Sequence, residues 1–288
     1  MSEAAKVDRQ PYWLSAPGLV LFLAMLGTPL LLTFILSFYG FDFTKGIQPG
    51  FSLNNYIEVL GDSYFHKIFG RTFAIALAVT VICILLGAPE AYILSRMRNP
   101  WKSLFLIVIL GPLLISVIVR TLGWALLIGG RGMISELLQA LHITDSPFSL
   151  MFTTTGMIIA LVHVLVPFMV LSVWASIQRI DPQAEDAALT LGASKFTVLR
   201  RIVLPQIMPG VLSGSLIVFA LTASAFATPA IIGGRRLKVV ATTAYDEYLN
   251  TLNWPLGAAI ALLLLVANVA IIMSYNRFIE RRYAKIFE

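Results

Sequence analysis

Asp186-Ala187-Ala188-Leu189-Thr190-Leu191-Gly192, followed after nine residues by Ile202-Val203-Leu204-Pro205, is a polar, small-residue insert in a chain that is otherwise suited to lipid. Long apolar runs flank it on both sides, so something other than lipid must contact it. The most economical candidate is a soluble partner on the cytoplasmic side. The whole chain is 58% hydrophobic and only 12% charged, with a mean hydropathy of +0.84. Soluble proteins carry about 25% charged residues. A bilayer-resident protein follows, because a span needs roughly 20 apolar residues to cross the hydrocarbon.

Six spans emerge from the hydropathy, near 15–38, 70–95, 103–128, 151–177, 206–233 and 255–276. The first is too long for a signal-peptide core of roughly 7–15 residues and ends without a small-x-small cleavage site, so it reads as a membrane helix. Arg120 interrupts the third. Pro29, Gly87 with Pro89, Gly111 with Pro112, Pro167 and Pro229 lie inside spans. Membrane helices tolerate such residues where neighbours re-satisfy the backbone or where a helix bends around a cavity. With the N-terminus inside, 13 of the 21 basic residues fall on the cytoplasmic side, among them Arg96, Arg98, Lys102, Arg179, Lys195, Arg200 and Arg201. By the positive-inside rule both termini are then cytoplasmic, and the formal charge of +6 reflects that retention rather than nucleic acid. The longest external segment, Gly40 to Phe69, contains Phe51-Ser52-Leu53-Asn54-Asn55-Tyr56, which predicts a short interfacial helix. No three-plus-three repeat is visible. The single cysteine, Cys83, excludes an internal disulfide and a multi-thiolate metal site. His66, His142 and His163 form no ligand motif, so no metal site is expected.

Between spans four and five, Asp181 can cap a helix that Pro182 begins. Glu185 and Asp186 suit its first turns, where the helix dipole favours acids. Gly192 suits its end. Ser194 can cap a second helix carrying Phe196, Val198, Leu199 and Ile202, which Pro205 ends or bends as it enters span five. The product is a cytoplasmic helix-turn-helix over about 181–205. Ala187 and Ala188 permit close approach by another surface, and Gly192 permits a sharp turn. On these grounds the segment is either a docking knob or an amphipathic connector lying on the membrane.

The spacing Asp186-Ala187-Ala188-x3-Gly192-x9-Ile202-x-Leu204-Pro205 resembles the EAA loop of permease subunits from bacterial ABC importers. Asp186 stands where that family usually has Glu, and Glu185 precedes it, which leaves open which acid takes the family role. Pro167-Phe168-Met169, Phe226-Ala227-Thr228-Pro229-Ala230-Ile231-Ile232-Gly233-Gly234, Asn253-Trp254-Pro255-Leu256-Gly257-Ala258-Ala259 and Leu53-Asn54-Asn55-Tyr56 are similar to the polyamine, opine and phosphonate branch, and within it to the first permease subunit of the spermidine/putrescine type. The resemblance implies an all-α integral membrane protein with the MetI-like permease fold, a single permease domain over 1–288. It implies a bacterial inner-membrane subunit forming the path for a small polar solute, a polyamine first, with an opine, phosphonate or amino-acid-like solute as the alternative. It implies ATP-binding subunits, a second and different permease chain, a periplasmic solute-binding protein and membrane lipid as partners. No catalytic residue and no cofactor belong to this chain, since ATP and Mg are bound by the partner ATPase. The lack of a phosphate-binding glycine loop agrees. The coupling residues are then Glu185, Asp186, Ala187, Ala188, Gly192, Ala193, Ile202, Leu204 and Pro205.

Glu90 and Arg120 sit in apolar surroundings, where an ionisable group is costly and faces an interior, a cavity or a partner charge. Glu90, close to Arg96 and Arg98 in sequence, reads as a structural pair or a headgroup contact. Arg120 reads equally as path or structure. With Thr228 and Pro229 it makes the candidate substrate path. An arginine there suits a carboxylate or phosphonate better than a polyamine. His163 reads as a satisfied packing histidine. The rival, an ion-coupled secondary transporter, needs mid-membrane carboxylates, and Glu90 is the only acid within a clear span. A membrane-embedded enzyme lacks any His/Asp/Glu cluster.

Overall fold

The structure, a computed structural model, describes residues 10–179 and 182–287. In chain order, α1 is Gln10–Leu36, β1 Gly40–Asp42, β2 Gly46–Gln48, α2 Asn54–Gly61 and α3 Ser63–Arg96. Then come α4 Trp101–Leu110, α5 Val117–Ile128, α6 Met133–Ala140 and α7 Thr154–Ile177. The segment between spans four and five holds α8 Pro182–Thr190, α9 Lys195–Val198 and a π-helical turn Leu199–Val203, which runs straight into α10 Leu204–Ala223. A second π-helical turn, Pro229–Gly233, precedes α11 Val240–Leu249 and α12 Trp254–Phe287. Six helical segments among the described residues are long and apolar enough to cross a membrane.

Two of the expected spans differ. The apolar run 103–128 is not one helix. It breaks after α4, where Gly111–Leu114 form a tight turn and Ile115 is extended at φ −92°, ψ 138°. Pro112 lacks an N–H and its ring crowds the preceding turn, which favours the change from α-helix to the tighter turn here. The third membrane-length segment is instead Val117–Ala140, itself interrupted at 129–132. The fifth span ends at Ala223, not at 233, and the chain re-enters a helical turn at Pro229. The external segment carries the expected helix, but over Asn54–Gly61, after a three-residue antiparallel hairpin.

The chain divides into two compact units, residues 1–62 with 244–265 and residues 63–243 with 266–288. In the first, Asn55 Nδ2 donates to the Ser37 and Tyr39 carbonyls, each at 2.9 Å, and Tyr56 hydrogen-bonds Ser37 Oγ at 2.7 Å. These bonds tie α2 to the end of α1. The most apolar stretch of α1 itself has no buried residue. In the second unit α7 is the axis, with 61% of its apolar window buried. Met169, fully buried, lies between Gly87 of α3 and Gly214 of α10, where an added Cβ would stand 2.9 and 2.8 Å from its side chain. Small residues at a crossing let backbones approach closely, which is how membrane helices gain packing without a hydrophobic drive between them.

Gly210 sets the tightest approach of α10 to α7. A Cβ there would meet Ser176 Oγ at 2.5 Å and the Ser172 carbonyl oxygen at 2.6 Å. Gly210→Val is therefore expected to lower the thermal midpoint of the detergent-purified protein, since overpacking costs about 1–3 kcal/mol. An unchanged midpoint by thermal-shift fluorimetry contradicts the close crossing.

Candidate functional site

The candidate coupling segment folds as a helix-turn-helix. Asp181, the expected cap, lies outside the described residues. α8 ends in a Schellman turn: Ala193 N–H donates to the Ala188 carbonyl and Gly192 N–H to the Leu189 carbonyl, both at 3.0 Å, with Gly192 at φ +84°. Ser194 Oγ then accepts from the Thr197 N–H at 3.2 Å and starts α9. Pro205 does not end the second helix. The π-helical turn before it widens the ladder, and Leu204 N–H bonds the Leu199 carbonyl five residues back.

The segment has two faces. Ala188, Ala193 and Ile202 pack against the apolar core of the second unit, and Val198 and Val203 are buried in it. Glu185 also points inward: it is buried and forms an ion pair with Arg96 at the end of α3. Asp186, Ala187, Gly192, Leu204 and Pro205 are exposed. Beside them stand Leu191, 88% exposed, and Phe196, 70% exposed. These two apolar side chains, one on each side of the turn, are the surface that the motif does not name. Their signal in the sequence is weak, because Phe196 shares a helix with Val198, which is buried.

The candidate path residues meet in a cavity of about 490 Å³ among α5, α7, the end of α10 and the stretch after it. Its walls are apolar apart from Thr228 and Arg120, the one charged lining residue. Arg120 Nε and Nη1 are buried without a hydrogen-bond partner. Thr228 is 1% exposed, and its hydroxyl is already engaged. Thr121 Oγ1 donates to the Val117 carbonyl at 2.8 Å, so Thr228 is the donor in the 3.0 Å Thr121–Thr228 bond. Pro229 is buried and opens the π-helical turn. One turn along α5 from Arg120, Trp124 Nε1 donates to His163 Nδ1 at 3.1 Å, which places the imidazole hydrogen of a neutral His163 on Nε2. His163 is hydrogen-bonded as expected of a satisfied residue, yet its side chain is exposed. It shares a groove of about 400 Å³ with Glu90, Pro112 and Pro167. Of the two readings of Glu90, a structural pair or a headgroup contact, the pair does not form with Arg96, which turns to Glu185. Glu90 makes no ion pair among the described residues.

The profile of the binding-protein-dependent transport system inner membrane component matches residues 84–285. The chain belongs to that family. This permease is 31% identical over 241 residues to the spermidine/putrescine transport system permease protein PotB of Escherichia coli, covering 84% of this chain and 87% of that protein. It is 30% identical to the inner membrane ABC transporter permease protein YdcU of the same organism, across 92% of this chain and 90% of the relative. Among solved structures, a bacterial alginate ABC transporter in complex with its oligosaccharide-bound periplasmic protein superposes at a TM-score of 0.79, with 16% identity over 96% of each chain. The MetNI methionine transporter superposes at 0.58, with 14% identity over 76% of this chain and 98% of that one. The permease is thus a multi-pass inner-membrane subunit of a binding-protein-dependent ABC importer. It is not an enzyme, and ATP hydrolysis lies on a separate subunit. Its partner kinds are ATPase subunits and a periplasmic solute-binding protein.

Proposed function

We propose that the permease imports a polyamine of the spermidine/putrescine kind. The similarity to PotB across most of both chains carries this reading. A second observation favours it. On α2 and α11, desolvation and then the negative charges of Glu247 and Asp62 push the Glu58 carboxyl above its ordinary range. In the orientation proposed here these acids face outward, and clustered negative charge raises the local concentration of a cation. One observation favours a different cargo: Arg120 in the cavity, whose Nε and Nη1 have no hydrogen-bond partner among the described residues, suits a carboxylate or phosphonate. Calorimetric titration of the cognate binding protein with spermidine, putrescine, an opine and a phosphonate separates the two. Tight binding of an anion and none of either polyamine ends the polyamine reading.

The full assembly in this proposal pairs the permease with a different permease chain and two ATPase subunits, which bind ATP and Mg. In this proposal residues 1–288 act as a single permease domain. The exposed face of the coupling segment meets the ATPase, and both termini are cytoplasmic. Lys195→Cys on a Cys83→Ser background is expected to resist a membrane-impermeant thiol reagent in whole cells and to react in inverted vesicles. Labelling from outside reverses the orientation.

A further inference from the structure

Glu185 and Arg96 stand 89 residues apart in sequence and meet as an ion pair. α8 packs chiefly on α9 and the π-helical turn, the segments that directly follow it. The Glu185 side chain is 9% exposed, while Arg96 is 45% exposed and lies 5.2 Å over the Tyr92 ring of its own helix. A carboxylate held that far from water is strongly penalised when its one cation is removed. We infer that Arg96–Glu185 is a strut that makes the second membrane span follow the coupling helix directly, in addition to the covalent route through α10. The inference rests on the coupling role proposed for the segment.

The chemistry assigns the two adjacent acids different duties. Glu185 faces the membrane body and positions α8 on α3. Asp186, exposed, is left to meet the ATPase. α3 is the helix whose Gly87 seats on Met169 of α7 and whose Glu90 lines the groove beside His163. A displacement of α8 that carries Arg96 with it therefore reaches the walls of that groove without first passing along span five.

The test uses the whole transporter, with its partner permease and ATPase, in lipid nanodiscs. Spin labels are placed at Arg98→Cys and Lys195→Cys on a Cys83→Ser background, and the distance between them is measured by pulsed EPR without nucleotide and with a non-hydrolysable ATP analogue. The expected result is one distance in both states, because α3 and the coupling segment move together. In E185Q and in R96Q the distance should change on nucleotide binding. The charge-reversed pair R96E/E185R should restore the constant distance, which a residue serving only to fold the protein does not do. In reconstituted vesicles, radiolabelled spermidine moved per ATP hydrolysed should fall about tenfold in E185Q, the size of a typical coupling energy, and recover in the reversed pair. A nucleotide-dependent distance in the parent, or a reversed pair no better than either single variant, overturns the strut. Loss of the ATPase subunit from E185Q but not from R96Q does so too, since Glu185 would then be a docking acid. Failure of the wild-type vesicles to move spermidine counts against the polyamine reading alone, because the distance measurement needs no solute.

Discussion

Gly192→Asp is expected to reduce transport at least about thirtyfold, the effect of some 2 kcal/mol or more for an unpaired charge driven into an interface. The geometry separates two causes. No atom lies within 4 Å of where a Cβ would stand, so the substitution meets open space within the chain. The backbone cost comes from φ +84°, where a side chain costs about 1–2 kcal/mol. Gly192→Ala carries that backbone cost without the charge. It should leave the ATPase bound and transport reduced only mildly. Gly192→Asp should insert normally and lose the ATPase subunit on affinity purification. Equal transport by the two variants, at equal expression, makes the segment a connector rather than a docking surface.

Arg120→Ala is expected to cut transport by about tenfold to a hundredfold, the value of a hydrogen-bonded charge contact of about 1.5–3 kcal/mol. The isolated permease should fold with unchanged yield. Breaking a buried pair costs about 3–5 kcal/mol because the other charge is left alone, but Nε and Nη1 of Arg120 have no partner to orphan. An acidic group of the solute, or of the second permease chain proposed above, would satisfy this guanidinium. A polyamine repels it, so under the polyamine reading the anion is the partner chain's. Co-purification of the two permeases should then fall with Arg120→Ala, whereas an anionic solute would leave assembly intact and raise the KM for transport. Full transport with an intact assembly would remove Arg120 from both roles.

The membrane class and the helix-turn-helix with its glycine turn were legible because each rests on local pattern: apolar run length, capping residues, a glycine at the αL position. The breaks in the spans were not. Hydropathy is continuous through Leu110, Pro112 and Leu114 and again through Ala225 and Ile231, so an apolar run hides where the backbone stops being helical. Pro112 and Pro229 read as residues inside continuous spans, whereas the chain leaves the helix at Ile115 and at Ser224. The split between Glu185 and Asp186 was also hidden, since it depends on Arg96 at the end of a helix far away in sequence. Proximity in sequence left Glu90 with either a structural pair, near Arg96 and Arg98, or a headgroup contact. The fold chose the acid across the chain.

The π-helical turn at Leu199–Val203 fixes an angular phase. Such a turn is an α-helix carrying one surplus residue, and each residue of an α-helix advances the azimuth by about 100°. The five residues therefore act like a vernier between two rotary scales, one bearing Leu191, Gly192 and Phe196, the other bearing the Gly210–Gly214 edge that meets α7. Removing a single residue there would keep every side chain of the proposed docking face and every side chain of the crossing, yet turn one against the other by roughly a quarter of a revolution. Length in this stretch is a timing element, and substitutions within it should be borne far more readily than a change in the count.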